Sequence, residues 1–309
     1  MTHQDRTAPL VGVIGLGAMG APMARHLAAG HGRAAVTARR PRNEVMTERL
    51  LGSPAAAIDW HDDAASLARA CDVVLLMVPD LPQVIELLDG PAGLAAGAAD
   101  RADGSDPLLV VVGSTCSAPG IQQLGRRLAD ATGGRVHLVD APVSGGEDGA
   151  IAGTLSIMMG GTEDDCARAT RALAPCGTPV RLGPLGAGEV AKACNQLVVS
   201  ATILALGEAT VLAERSGIDV GQMWDLLGHG YASSRLLDTR KDKLVGRDDS
   251  PSGAAKYLLK DLGCGLEVAE STATRAALLP ALHETFAEIV DAGLGDRDMA
   301  VTRRFVAER

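Results

Sequence analysis

The chain has 309 residues, 47% of them apolar but only 2% aromatic, and a formal net charge of -9. It is long enough for one large domain or two medium ones, and too apolar to be disordered. No basic block is present, which argues against a nucleic-acid backbone as the main partner.

Arg6 and the apolar run Ala8 to Ala24 have the outline of a leader. Glycines at 12, 15, 17 and 20 read better as strand, turn and helix. Leu10–Ile14 is a continuous apolar run, as in a strand buried on both faces. Ala18–Ala29 has helical spacing. Further strands are expected at Ala34–Ala38, Val73–Val78, Leu108–Val112, Val136–Val139 and Leu155–Met159, with Pro79 ending the third. Helices are expected at Ser66–Ala70, Gln83–Leu88 and Ser117–Ala131. Ala92–Asp106, rich in Gly, Ala and Asp, reads as a surface loop. This alternation calls for a doubly wound, mostly parallel sheet.

From Ala187 onward the pattern is helical. Glu189–Arg215 is one long stretch without proline, Asp219 suits an N-cap, and helical stretches continue through Ala255–Ala269 and Ala281–Asp291. The expected organisation is an α/β N-terminal Rossmann-type domain, residues 1–185, and an all-α C-terminal domain, residues 186–309. The run Leu197–Leu212 is interrupted by Ser200, Thr202, Glu208 and Thr210, too polar for a lipid-facing span. A soluble, cytoplasmic protein without a membrane partner is expected. The six cysteines (71, 116, 166, 176, 194 and 264) form no C-x-x-C pair, so they read as reduced and mostly buried, and no metal site is expected.

Gly15-Leu16-Gly17-Ala18-Met19-Gly20 matches G-x-G-x-x-G between a buried strand and an amphipathic helix. Gly15 permits the turn, Gly17 lets the backbone approach a pyrophosphate, and Gly20 allows close helix–sheet packing. The second strand ends in Ala38-Arg39-Arg40-Pro41-Arg42, with no acid before Glu44. Arg39 and Arg40 suit the 2′-phosphate of NADP better than the 2′-hydroxyl of NAD, though NAD stays possible; the alternative is a solvated basic loop.

Three further segments carry chemistry. Lys192, Asn195 and Gln196 share one helical face at i, i+3 and i+4. Ser144-Gly145-Gly146 offers a hydroxyl and backbone N–H groups to a carboxylate. Lys260-Asp261 is the third. Taken singly, the lysine reads equally as a solvent-exposed side chain, and the glycine segment reads better as a plain turn.

With Ser114-Thr115 and Asp140–Gly146, these motifs resemble the β-hydroxyacid dehydrogenase family along nearly the whole chain. The resemblance implies a Rossmann-type domain followed by a helical one, assembly as a homodimer or homotetramer, and an active site in the cleft between domains. It implies Lys192 as the catalytic lysine. It implies that Ser144, Gly145, Gly146, Asn195 and Gln196 bind a small carboxylate-bearing substrate. It implies that Met77, Val78, Pro79, Thr115 and Lys260 lie near the cofactor. Asn195-Gln196 departs from relatives with two asparagines, and Arg39 from the acid of NAD-preferring members. The expected activity is hydride transfer between NADP(H) and a 3-hydroxy acid or semialdehyde of 3-hydroxyisobutyrate, tartronate semialdehyde or sugar-acid type. An imine reductase on the same scaffold and a non-catalytic dinucleotide-binding module stay open. Gly230–Arg235 is a candidate pocket segment, with Ser233 or Ser234 equally readable as a helix cap. His137 and His229 have no identifiable partner in the sequence and read as structural.

Overall fold

The computed structural model describes residues 9–48, 50 and 57–309. Arg6 and Ala8 of the leader-like run lie outside the described residues. The chain forms two compact units, residues 1–192 and 193–309. The division falls inside the helix Ala187–Arg215.

Strands of the first unit are β1 (Val11–Ile14), β2 (Ala34–Thr37), β3 (Ile58–Trp60), β4 (Val73–Leu76), β5 (Leu108–Val112), β6 (Val136–Asp140), β7 (Val143–Ser144), β8 (Leu155–Gly160) and β9 (Gly177–Gly183). They lie in one sheet in the order β3-β2-β1-β4-β5-β6-β8-β7, with β9 also on β8. Pairing is parallel from β3 through to β6, and antiparallel where β8 meets β6 and β7. Every residue of β1, β2, β4 and β5 is buried, the signature of a sheet covered on both faces. One core, around Met23, Leu27 and Val111, fills one face; another, around Leu67, Leu76 and Val110, fills the other. All the aromatic residues except Trp60 lie beyond Lys192, so these two cores are built almost wholly from aliphatic side chains.

The helices sharpen several sequence expectations. The stretch expected to begin at Ser66 starts earlier, as Ala64–Ala70, because Asp63 and Ser66 form a capping box. Likewise Asp80 caps Leu81–Leu88. Ala92–Asp106 is not simply a surface loop. It contains the helix Leu94–Ala99, whose Leu94, Gly97 and Ala98 are buried. A Cβ on Gly97 would collide with the backbone of Ala65, so the glycine that resembled a loop signal is a helix-packing contact. Strands β3, β7 and β9 and the helices Arg42–Glu48, Gly146–Ala152 and Glu163–Leu173 were not read from the sequence.

In the second unit, the C-terminal part of Ala187–Arg215 packs with the helices Val220–Leu227, Arg235–Gly246, Ala255–Ser271, Leu279–Asp291 and Thr302–Ala307. Asp219 is the N-cap expected, accepting from Gln222 N at 2.8 Å. The long helix is apolar enough by length and composition to cross a membrane. Its Ile203, Leu206 and Ala213, however, are buried in the core of this unit, and its Thr210 is fully buried too. Trp224 Nε1 donates to Thr210 Oγ1 at 3.1 Å. Thr210→Val would orphan that buried donor, at a cost of about 1–3 kcal/mol. A urea melt should show a lower midpoint; an unchanged midpoint would count against the bond's importance.

Candidate active site

The sheet reverses its strand order at β1 and β4, and ligands of such sheets gather outside the carboxyl ends of the strands. Gly15, just after β1, has φ +97, and a Cβ there would collide with the Met77 carbonyl. A Cβ on Gly20 would collide with the Gly15 carbonyl, so the helix Gly20–His31 packs tightly behind the turn. Gly17 differs: a Cβ there would meet nothing within 4 Å. Leu16 is buried in the core, while Gly17 and Ala18 are exposed and Met19 occupies the N-cap position. The turn therefore keeps one bare backbone face open at the positive end of a helix, the arrangement that takes a pyrophosphate.

The neighbouring strand ends meet this turn. Met77 N donates to Ile14 O at 2.8 Å, and Val78 N to Ser114 Oγ at 3.1 Å. Thr115 is half-buried beside Ser114, and Pro79 is exposed. Arg39 and Arg40 follow β2 and are exposed, with Arg40 paired to Glu44 at 3.2 Å.

The lysine segment is held by β6 and by β7 beyond it. Asp140, at the end of β6, is fully buried. Its Oδ1 accepts from Gly186 N at 2.7 Å and its Oδ2 from Glu189 N at 2.8 Å, which anchors the first turn of the long helix. Burial pushes its carboxyl up to about 6, although backbone N–H groups of Gly186, Glu189, Asp140 itself and Gly188 pull the other way. A Cβ on Gly188 would collide with the Met158 carbonyl and crowd this carboxylate, so the helix start needs glycine there. Lys192, one turn further on, is 8% exposed, and its Nζ donates to Val143 O at 2.9 Å. It is not a solvent-exposed lysine. Val143 and Ser144 pair with Ile157 and Ser156 of β8, so the ammonium is held against the residue before Ser144. Gly145 (φ +136) and Gly146 (φ +63) then turn the chain into the helix Gly146–Ala152. The segment is a strand end with a helix start, and both glycines adopt backbone angles that other residues resist.

In the second unit, Gln196 Nε2 donates to Asp261 Oδ2 at 2.6 Å, and Asn195 Nδ2 to Gln196 Oε1 at 2.8 Å. Lys260 Nζ stands 3.0 Å from Asp261 Oδ1. The two amides and the Lys260-Asp261 pair thus form one chain of polar contacts. Ser234 is an N-cap, accepting from Leu237 N at 3.0 Å, and Tyr231 is fully exposed. His137 does have a partner, Asp165, at 2.9 Å. Cys194 is exposed, whereas Cys71, Cys116, Cys166 and Cys176 are buried. Burial pushes the Cys71 and Cys176 thiols up to about 12, so they are inert. Among the described residues no group of three His, Cys, Asp or Glu side chains could hold a metal ion. A surface hollow lined by Asp89, Arg127 and Arg135 lies at the opposite, N-terminal edge of the sheet, because Arg135 precedes β6.

Two residues of the site carried no separate role in the sequence reading. Asp140 was visible only as part of Asp140–Gly146, and Glu189 only as the start of a helix. The signal is an acid at the end of an apolar strand, and another three residues before Lys192.

A family model described as the NAD binding domain of 6-phosphogluconate dehydrogenase matches residues 10–186. A second, described as the NAD-binding of NADP-dependent 3-hydroxyisobutyrate dehydrogenase, matches residues 186–305. The chain belongs to the β-hydroxyacid dehydrogenase family. Among the relatives of this β-hydroxyacid dehydrogenase is 2-hydroxy-3-oxopropionate reductase of Escherichia coli, 34% identical over 89% of each chain. Another is L-threonate dehydrogenase of Cupriavidus necator, 33% identical over 93% of each. The crystal structure of 3-hydroxyisobutyrate dehydrogenase from Salmonella typhimurium superposes with a TM-score of 0.78 at 27% identity, covering 96% of this chain and 99% of that one. The protein is an NAD(P)-dependent hydroxyacid dehydrogenase, and its cofactor is a nicotinamide dinucleotide.

Proposed function

We propose that this dehydrogenase interconverts a small 3-hydroxy acid and its semialdehyde with NADP(H), using Lys192 as the proton donor and acceptor. The observation that carries the reading is the buried Lys192 ammonium on Val143 O, at the residue preceding Ser144-Gly145-Gly146. When bound, the nicotinamide supplies the hydride in one direction and accepts it in the other. In reduction, negative charge grows on the substrate carbonyl oxygen. Lys192 stabilises that charge and delivers a proton to the same oxygen. In oxidation, neutral Lys192 takes the hydroxyl proton. The Ser144 hydroxyl and the Gly145 and Gly146 N–H groups hold the substrate carboxylate, and Asn195 supports its hydroxyls. Gln196 acts through Asp261, which it already holds. Gly15, Gly17 and Gly20 seat the pyrophosphate; Met77, Val78, Pro79 and Thr115 border the cofactor, and Lys260 joins them. Similarity to a 2-hydroxy-3-oxopropionate reductase and an L-threonate dehydrogenase makes tartronate semialdehyde and sugar acids the first substrates to assay. A panel of hydroxy acids and semialdehydes with both cofactors tests the reading, and NADP(H) binding without any turnover would refute it.

Cofactor choice rests on the exposed Arg39 and Arg40 after β2. Arg39→Asp should lower kcat/KM for NADPH about tenfold or more, by removing one charged hydrogen-bond donor for the 2′-phosphate, and leave NADH much less affected. Equal losses with both cofactors would contradict NADP selection at this position. We also read the protein as a soluble cytoplasmic homo-oligomer, which light scattering and cell fractionation test.

A further inference from the structure

A path of hydrogen bonds crosses the strand ends of the first unit. Val78 N donates to Ser114 Oγ at 3.1 Å, joining the segment after β4 to the segment after β5. Two residues past Ser114, Cys116 N donates to Glu189 Oε2 at 3.0 Å. Glu189 N donates in turn to Asp140 Oδ2 at 2.8 Å, and Lys192 Nζ to Val143 O at 2.9 Å. Glu189 therefore grips the segment after β5 with its side chain and the end of β6 with its backbone. It stands three residues before Lys192, on the same helical face. The residue is 1% exposed. A buried polar side chain is costly unless it is hydrogen-bonded, so the bond from Cys116 N ties the two segments firmly.

We propose that Glu189 is a positioning residue, which locks the cofactor-side segment Ser114–Cys116 to the helix turn that aims Lys192. It rests on the reading of Lys192 as the proton donor. Catalysis by positioning is steep, since a displacement of about 1 Å can cost on the order of a hundredfold in rate. Glu189 acts through the lysine and touches no reacting atom.

The test compares the full-length wild type with Glu189→Ala and Glu189→Gln. Glutamine keeps an oxygen that can accept from Cys116 N; alanine does not. Glu189→Ala should lower kcat for semialdehyde reduction roughly 10- to 100-fold, and raise the Kd for NADPH by a much smaller factor. Glu189→Gln should recover most of that loss. Hydrogen exchange of a peptide covering residues 113–118 should quicken in Glu189→Ala and stay slow in Glu189→Gln. Wild-type turnover in the alanine variant, equal damage in both variants, unchanged exchange, or a joint collapse of Tm, NADPH affinity and kcat would each overturn the proposal. Exchange needs no turnover. A wild type inactive on every substrate would end the functional reading, while exchange would still decide whether Glu189 holds the segment.

Discussion

Lys192→Ala is expected to lower kcat for semialdehyde reduction by roughly 10²- to 10⁴-fold, the usual span for a positioned general acid. That corresponds to about 3–5 kcal/mol of lost transition-state stabilisation. The Kd for NADP(H) should stay within a few-fold. The reason is geometric: the Lys192 side chain is bonded to Val143 O, whereas the glycine turn after β1 owes its shape to the close packing of Gly15 on the Met77 carbonyl and of Gly20 on the Gly15 carbonyl. Lys192→Met retains most of the buried stem without the charge, and it should be as slow as alanine. Stopped-flow single turnovers and a fluorescence titration with NADPH separate chemistry from binding. A methionine variant with near-normal kcat would show that the lysine serves packing, not proton transfer.

Asp140→Ala should have the largest effect on stability. It removes the acceptor from two buried donors, Gly186 N and Glu189 N. Each orphaned donor costs about 1–3 kcal/mol, so the loss at pH 5 should be several kcal/mol. Its pH dependence has a definite sign. Burial raises the folded carboxyl from 3.8 to about 6. The stability tied to its protonated form is full below 3.8 and is lost as pH rises through about 6. The wild type thus loses on the order of 3 kcal/mol across that window, at 1.36 kcal/mol per unit, and alanine does not. The gap between wild type and Asp140→Ala should narrow from pH 4 to pH 7. Urea melts at a series of pH values read it directly; a gap that widens with pH would contradict the burial of this group.

The residues that made the fold legible were those whose pattern is local. The apolar runs of β1, β4 and β5 and the G-x-G-x-x-G spacing need no partner to be read, because a strand buried on both faces shows as an unbroken run. Edge elements were harder. β9 has no buried residue, and β7 has only two residues, so neither offers a run to detect. The helix Leu94–Ala99 was masked by its own glycine, which is there because Ala65 leaves no space for a Cβ. That reason lies in tertiary packing and cannot be seen along the chain.

At the site, the helical spacing of Lys192, Asn195 and Gln196 was visible, but the partners were not. Val143 is 49 residues from Lys192, and Asp261 is 65 from Gln196. Only the folded chain shows that the lysine is held by a backbone carbonyl and the glutamine by a carboxylate. The same distance hid Asp140 and Glu189, whose acids looked like any others. The partner of His137 is hidden in the same way, since Asp165 reaches it from the helix Glu163–Leu173.

The most direct test of the central assignment is a matched pair of substrates assayed by consumption of NADPH. One is a semialdehyde bearing a carboxylate; the other is the same aldehyde with that carboxylate replaced by a methyl group. Rapid, Lys192-dependent turnover of the first and little of the second is the expected result. Equal turnover of both, or turnover that survives loss of the lysine, would contradict the assignment.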